Sequence, residues 1–239
     1  MNCRNLAGGA ASAMLLLSSC VLNVDHAGPT QYESKSFDRG AVDDLHLELN
    51  MGAGDLKVGT GTHKLAQAYF TYNMDSDKPE VNFDASGHNG TLTIRQPGSR
   101  HGNVHMQPIK YSWDLRLAQD VPVSLRINFG AGQAQLDLGR LALRDVQVDM
   151  GVGEMQMDLR GEPKHDYSVR IHGGVGEATV HLPANVGVSA DASGGIGNID
   201  AENLRGSHGH WVNDAFDHSP VHIHVTVEGG IGNIRLIGE

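Results

Sequence analysis

Histidines are the residues of this chain that most directly suggest chemistry, since 14 occur among 239 residues. His222 and His224 alternate with apolar residues, so a strand would project both imidazoles from its solvent face, where they could share a metal ion. Three more histidines lie in the adjoining loop: His208, His210 and His218. Neither a cysteine nor an ordered carboxylate joins them. We therefore interpret them as solvated polar residues and predict no cofactor, with a zinc, copper or pH sensor as an alternative.

Glycine-rich segments suggest a phosphate-binding loop or a calcium-binding β-roll, but neither pattern fits. A P-loop requires Lys followed by Ser or Thr and a helix N-terminus, whereas here Gly-x-Gly is followed by Asp55-Leu56 or Asn198-Ile199. The calcium nonapeptide places Asp where Ile199 stands and repeats every nine residues. The sequence therefore predicts neither a nucleotide site nor a calcium site.

Catalytic residues are also hard to assign from spacing. Coiled β proteins that cleave polysaccharides use clustered Asp, Arg or Lys on one exposed face. Asp137, Asp158 and Asp200 are outward candidates, but they follow their glycine bends at different offsets. Trp113 and Trp211 could stack on sugars, although closing the ends of a core poor in aromatics is the role we favour. We predict no enzyme activity, with a glycan-active β-helix enzyme as the alternative.

The N-terminal residues have the composition of a lipoprotein signal peptide. Arg4 supplies a positive charge, residues 6–17 are apolar, and the sequence LSSC ending at Cys20 resembles the lipobox, in which cleavage precedes a cysteine that is then acylated. The apolar segment is shorter than the roughly 20 residues of a membrane span. An ordinary secretory signal or a short membrane helix is the alternative. We predict a signal peptide over 1–19, and a lipidated Cys20 with a tether over 20–40.

The residue after Cys20 indicates the location of the protein, and the overall charge disfavours one class of partner. Val21 follows the cysteine, whereas an Asp there typically retains lipoproteins of Gram-negative bacteria in the inner membrane. We therefore expect a lipid-anchored cell-envelope protein, at the periplasmic face of the outer membrane if the organism is Gram-negative. The formal net charge of -10 disfavours nucleic acid as a partner, because phosphates would be repelled.

Six copies of one strand, bend and strand unit organise residues 41–239. Each copy has an apolar row of period two, a Gly-x-Gly bend and a second apolar row of opposite parity; the last copy is Val221 to Leu236. The parity change requires an extra residue, which glycines allow. We place the middle residue of each bend, such as Ile231, in the inward row. The second glycines of the bends are Gly54, Gly132, Gly153, Gly176, Gly197 and Gly232.

This spacing predicts a stack of β-rungs. Four consecutive bends are 21, 23 and 21 residues apart, which is typical of stacked repeats. The sequence therefore predicts an all-β, single-stranded, right-handed β-helix-like solenoid with rungs of about 21–23 residues. A β-sandwich with glycine bulges is the alternative.

The remaining segments are predicted as parts of that stack or excursions from it. Short strands at 68–72, 80–83, 91–95 and 110–117 are predicted as further rungs without a bend, and residues 206–220 as a polar loop. Because only Gly238 and Glu239 follow the last copy, we expect the C-terminal rung to be an open docking edge.

The sequence also resembles a known family. The segments VPVSLRINFGAGQAQLDLGRLALRDVQVDMGVGEMQMDL, VRIHGGVGEATVHLP, SGGIGNIDAENL and HVTVEGGIGNIRL, with LNMGAGDLKVGTGTHKLAQAYFTYN upstream, are similar to the toast-rack family of bacterial envelope β-repeat proteins. That family is related to the C-terminal domain of envelope antibiotic-stress regulators and to adhesin repeats. The resemblance spans residues 41–236 and implies a right-handed β-helix-like fold without known catalytic residues.

The predicted function combines these features. We expect a membrane-anchored envelope lipoprotein whose non-catalytic β-repeat domain binds or scaffolds, in an envelope-stress response or in adhesion. Its predicted partners are membrane lipid, through acylated Cys20, and an envelope protein or glycan. The protein or glycan would bind along a rung face or the open edge, where a partner strand can add by β-augmentation.

Overall fold

The computed structural model describes residues 28–98 and 110–239. The predicted signal peptide over 1–19 and the predicted lipidation site Cys20 lie outside the described residues. The described chain is all-β, as predicted, with 14 strands and a 3₁₀ turn at Asp75–Asp77. None of its helical residues forms a segment long and apolar enough to cross a membrane. The strands are β1 Gln31–Phe37, β2 Asp44–Thr60, β3 Ala66–Tyr72, β4 Glu80–Ser86, β5 Asn89–Arg95, β6 Tyr111–Leu117, β7 Val123–Asp137, β8 Leu143–Asp158, β9 Tyr167–Leu182, β10 Gly187–Ile196, β11 Ile199–Glu202, β12 Arg205–Ser207, β13 His210–Val212 and β14 His222–Gly238.

Six bent rungs form the centre of the molecule. Five are single long strands, and the sixth is β10 together with β11. Neighbouring rungs pair in parallel in the order β2, β7, β8, β9, β14 and β10 with β11. The six predicted copies therefore stack in register, with their second glycines in one column. This parallel pairing differs from the antiparallel sheets of a β-sandwich.

The order of the rungs differs from the order of the chain. The C-terminal strand β14 lies between β9 and β10, so the predicted open C-terminal edge is wrong. The end of the stack is formed instead by β10 and β11. The inner strand is the more apolar of the two: β14 buries Val227 and Leu236 where its neighbour has Ala192 and Ala201. Burying the larger side chains between two rungs removes more apolar surface from water.

The glycines of the bends are required by backbone contact. The second glycine of every bend has φ between 129 and 144°, a region that side chains other than glycine rarely adopt. A Cβ built on Gly232 would also lie under 3.0 Å from the carbonyl oxygen of Gly176 in the adjacent rung. The same conflict recurs from Gly132 to Gly197, so each bend rests directly on the backbone of its neighbour.

The apolar rows bury most of the residues that the sequence indicates, but not the middle residues of the bends. In β2 the buried row runs through Leu49 and Met51 and resumes at Leu56, so the parity change is confirmed. The middle residue of the bend, predicted to point inward, is exposed in all six rungs. The extra residue therefore lies before this middle position, because two successive residues, such as Gly52 and Ala53, both face solvent.

Two short parallel strands lie next to the first rung, and antiparallel strands flank them. Each rung has a first leg before its bend and a second leg after it. The first leg of β2 pairs with β5, which forms a hairpin with β4. The second leg of β2 pairs with β6, which pairs with β3, and β3 pairs with β1. β5 and β6 pair in parallel with β2, so the strands predicted at 91–95 and 110–117 extend the stack as further rungs do. The strands predicted at 68–72 and 80–83 pair antiparallel with β6 and β5 and are not rungs. β1 lies within the range predicted as a tether. Between the two legs, the side-chain carbonyl of Gln96 accepts hydrogen bonds from the amides of Gly52 and Ala53, at 2.8 and 3.0 Å.

The inward faces of β3 and β6 carry buried aromatic rings. Trp113 on β6 is 1% exposed, and its ring centroid lies 5.9 Å from that of Phe70 and 5.8 Å from that of Tyr111. Trp113 therefore closes the core, as we favoured, and offers no surface for a sugar. Burial also raises the pKa of the Tyr111 hydroxyl.

The opposite end is covered only in part. Residues 206–220, predicted as a loop, contain the hairpin of β12 and β13, and β13 pairs with residues 189–191 of β10. The buried Asn213 holds this segment in place: its amide donates to the carbonyls of Pro183 and Val186, and its oxygen accepts from Val188 N–H at 3.0 Å. Beyond the hydrogen bond from Ala192 N–H to the Gly209 carbonyl, this cover ends.

A charged cluster fixes the end of β14 against β9. Glu239 binds both Arg160 and His181, and its own amide donates to the Leu182 carbonyl at 2.9 Å. Arg160 also forms hydrogen bonds to Asp158, which lower the pKa of that carboxyl.

Candidate binding surface

The exposed middle residues of the bends form one continuous row. Because the rungs are in register, each side chain lies beside its counterpart in the next rung. At about 4.8 Å per rung, the row is about 24 Å long. We call it the corner ridge; its members, in stack order, are Ala53, Ala131, Val152, Val175, Ile231 and Ile196.

The corner ridge is apolar throughout, and its side chains become larger toward the open end of the stack. Val152, Val175, Ile231 and Ile196 are 54%, 44%, 52% and 70% exposed. They are four of the six large hydrophobic side chains that are exposed in the described part of the chain. Single exposed apolar residues are ordinary on a protein surface, whereas an aligned row is typical of an interaction site.

A polar row without cations borders the ridge on the second leg of each rung. The row consists of six exposed residues, of which the first, third and fourth are acids and the others are amides: Asp55, Gln133, Glu154, Glu177, Asn233 and Asn198. Neighbouring members contact each other, as Asn233 donates to the Glu177 carboxylate at 3.2 Å. This border is negative and is crossed by no Lys or Arg in the same row.

The row bordering the ridge on the first leg has the same character. It consists of Asn50, Asn128, Asp149, His172, Glu228 and Ser193. His172 lies between two carboxylates, with Nδ1 at 3.2 Å from Asp149 and Nε2 at 3.5 Å from Glu228. The corner ridge is therefore an apolar surface between two rows that carry acids and amides, which favours a partner with positive charge.

A small apolar cavity lies at the corner of the last three rungs. The position two residues before the middle of each bend ends the inward row of the first leg. It is occupied by Met51, Phe129 or Met150 in the first three rungs but by Gly173, Gly229 or Gly194 in the others. The missing side chains leave about 60 Å³ of space, lined by residues that include Val175, Ile196 and Ile231 of the ridge. The largest ridge side chains thus lie where the core beneath is least filled.

One of the histidines considered as metal ligands, His222, has a structural role. His222 Nε2 lies 3.0 Å from the Phe216 carbonyl, and its ring packs edge-on against Phe216 at 5.1 Å. His224 is exposed on the strand face, as predicted. His210 binds Asp191 at 2.7 Å. Among the described residues, no group of three or more His, Cys, Asp or Glu side chains is arranged to hold a metal ion.

The three acids considered for catalysis are not brought together. Asp137 and Asp158 are neighbours in register, but Asp200 stands at another position along its rung. The two guanidinium hydrogen bonds from Arg160 keep Asp158 ionised, so this carboxyl is poorly suited to act as a general acid.

Sequence reasoning missed the corner ridge because it assigned the middle residues of the bends to the core. An aliphatic residue between two glycines, such as Ile231, can face either the core or the solvent, so the residue types of the bend do not distinguish the two.

Comparison with known proteins agrees with this architecture. The family model for the N-terminal domain of toast_rack, DUF2154, matches residues 26–181. The chain belongs to the toast-rack family. A crystal structure of a candidate cell adhesion protein from Clostridium sporogenes is 31% identical to this toast-rack chain, with a TM-score of 0.82. It aligns over 88% of this chain and 100% of the other.

More distant structures carry similar descriptions. A candidate adhesin from Bacteroides fragilis is 10% identical to the toast-rack chain, aligning over 89% of it and 99% of the other chain with a TM-score of 0.36. Among proteins of curated function, none matches this chain. The family and the fold therefore rest on the family model and on the Clostridium structure.

Proposed function

We propose that this toast-rack protein is a lipid-anchored cell-envelope protein whose β-repeat domain binds a partner without catalysis, in an adhesion-like role. The observation that carries the proposal is the corner ridge, an aligned apolar row flanked by acids and amides. The Clostridium relative, described as a candidate cell adhesion protein, supports the same class of function. The lipobox-like sequence at Cys20 supplies the anchor.

The finer features of the fold belong to this proposal as well. We propose that β7, β8 and β9 wind as a right-handed coil, because parallel strands joined by crossovers in one sheet are almost always right-handed. A rigid stack anchored at one end would hold the corner ridge away from the membrane. Its acidic borders would also repel the phosphates of nucleic acids and of anionic lipids.

The adhesion-like role is tested by charging the ridge. Cells that display the full chain are compared with cells that display Val152→Asp/Val175→Asp, by counting the cells that attach to one another and to immobilised envelope fractions. We expect at least a tenfold loss of attachment, because two carboxylates would be desolvated in an apolar interface.

A matched control tests whether the loss of attachment depends on placing the two charges in the corner ridge. Gln135→Asp/Gln156→Asp adds the same two charges at exposed positions of adjacent rungs, away from the ridge, and is expected to attach like the wild type. Equal attachment by the ridge variant and the wild type, or no attachment by the wild type itself, would contradict the proposal.

A further inference from the structure

The end of the stack formed by β10 and β11 carries a strand edge without a partner among the described residues. β13 pairs with residues 189–191, and the Ala192 amide donates to Gly209, but no described strand pairs with the outer side of residues 193–202. At the other end of the stack both halves of the β2 rung are paired and its bend is bound by Gln96, and the outer sides of β1 and β4 are the strand edges without a described partner strand. An exposed row of unpaired backbone groups is a template for adding a strand.

The backbone groups that face outward can be assigned from the ladder. Ile234 N–H donates to the Asn198 carbonyl at 2.9 Å, so Asn198 directs its backbone groups toward β14. In a parallel ladder, successive residues direct their N–H and C=O groups to opposite sides. Ile199 and Ala201 therefore present their N–H and C=O groups to the free side of the sheet.

The side chains of this edge oppose pairing with a second copy of the chain. Asp200 and Glu202 are exposed, while Ile199 and Ala201 face the core side. An antiparallel pair of two β11 strands that kept apolar residues on one face would place Asp200 opposite Asp200 or Glu202. Like charges directly opposite each other are destabilising, so these acids disfavour self-association.

The same acids favour a partner strand with positive charges. Asp200 lies in register beside Arg235 of β14, so a cation on the next strand would continue an alternation of charge across the sheet. Ile196, a member of the corner ridge that is 70% exposed, lies at the same edge and offers an apolar contact. We infer that the outer edge of β11 binds an extended protein segment in which basic and apolar residues alternate, by β-augmentation.

This inference goes beyond the ridge, because it concerns backbone pairing at the end of the stack. The probe is a fluorescent eight-residue peptide of alternating Lys and Val, titrated against the purified full chain and followed by fluorescence anisotropy. A peptide of alternating Glu and Val is the comparison. We expect saturable binding of the Lys peptide and at least tenfold weaker binding of the Glu peptide. Equal binding of both peptides, or binding of neither, would overturn the inference.

Two variants test the geometry. Ala201→Pro removes an outward N–H without removing a hydrogen bond to β14, and should abolish binding of the Lys peptide. Ala201→Ser retains the N–H and should bind as the wild type does. Asp200→Lys/Glu202→Lys should exchange the preference between the two peptides. Unfolding temperatures equal to that of the wild type establish that the variants are folded.

The remaining outcomes are also decisive. Binding that is unchanged by Ala201→Pro would place the peptide elsewhere and overturn the inference. A concentration-dependent dimer in sedimentation velocity that Ala201→Pro abolishes would show that a second copy occupies the edge and would overturn the inference. Because Val152→Asp/Val175→Asp leaves β11 intact, it should bind the Lys peptide normally, so failure of this inference and failure of the adhesion proposal are distinguishable.

Discussion

Gly232 shows at the scale of one residue why the bends tolerate no side chain. Its φ is 138°, and a Cβ would collide with the Gly176 carbonyl oxygen of the adjacent rung. We expect Gly232→Ala to lower the free energy of unfolding by more than about 3 kcal/mol, because backbone strain and backbone collision add. Urea denaturation of the full chain measures the loss.

Gly173 provides the matched control in the neighbouring strand. A Cβ there would meet nothing closer than the Glu228 carbonyl oxygen at 4.0 Å. Gly173→Ala should therefore change the free energy of unfolding by less than about 1 kcal/mol, within the range of ordinary surface and small-volume changes. A Gly232→Ala variant of normal stability that lost binding would show that the bend glycines form a ligand site and not a structural corner.

The sequence predicted these glycines for the right reason but misplaced their neighbours. Met51 and Leu56 are five residues apart, and side chains of a strand alternate between its two faces. A sheet that buries both residues therefore needs a parity change between them, so the bend could be predicted from the two-residue period of the strand alone. Which residue is the extra one could not be derived, since Gly52, Ala53 and Gly54 are all small enough to occupy either face. The backbone of the adjacent rung decides this, because it fixes which residues approach it closely.

At the scale of the strands, β14 is expected to be among the most protected elements. It pairs with β9 on one side and with β10 and β11 on the other, so its amides are enclosed by two ladders. We expect its amides to exchange with deuterium as slowly as those of β8 and at least tenfold more slowly than those of β11. Hydrogen exchange followed by mass spectrometry on the full chain resolves the three segments. Rates for β14 as fast as those of β11 would mean that it is the terminal rung after all.

The spacing of the repeats in the sequence does not determine the order of these strands in the stack. The 35-residue interval from Gly197 to Gly232 shows only that the chain leaves the stack and returns. On return, the strand can add outside β10 or between β10 and β9, and both preserve the glycine column. The difference lies in side-chain volume, because Val227 and Leu236 are better buried between rungs than Ala192 and Ala201 would be. Composition of the two copies therefore contained the answer, whereas their spacing did not.

The whole molecule is a stack with unlike ends. The first rung pairs in parallel with β5 and β6, which carry antiparallel strands on their far sides, and its bend is closed by Gln96. The last rung is covered on one leg and bears Asp200 and Glu202 on the other. The β-repeat character was predictable from sequence, but the unlike ends depend on contacts between distant segments.

Anchoring is the property of the whole protein that Cys20 controls in our proposal. We expect the full chain, expressed in a Gram-negative host, to incorporate labelled palmitate and to sediment with membranes, because each buried methylene contributes about 0.8 kcal/mol. Cys20→Ala should abolish the label and release most of the protein into the soluble fraction. Cys3→Ala, which leaves the lipobox-like LSSC sequence intact, should remain labelled and membrane-bound. A Cys20→Ala protein that still sedimented with membranes would show that another part of the chain holds it there.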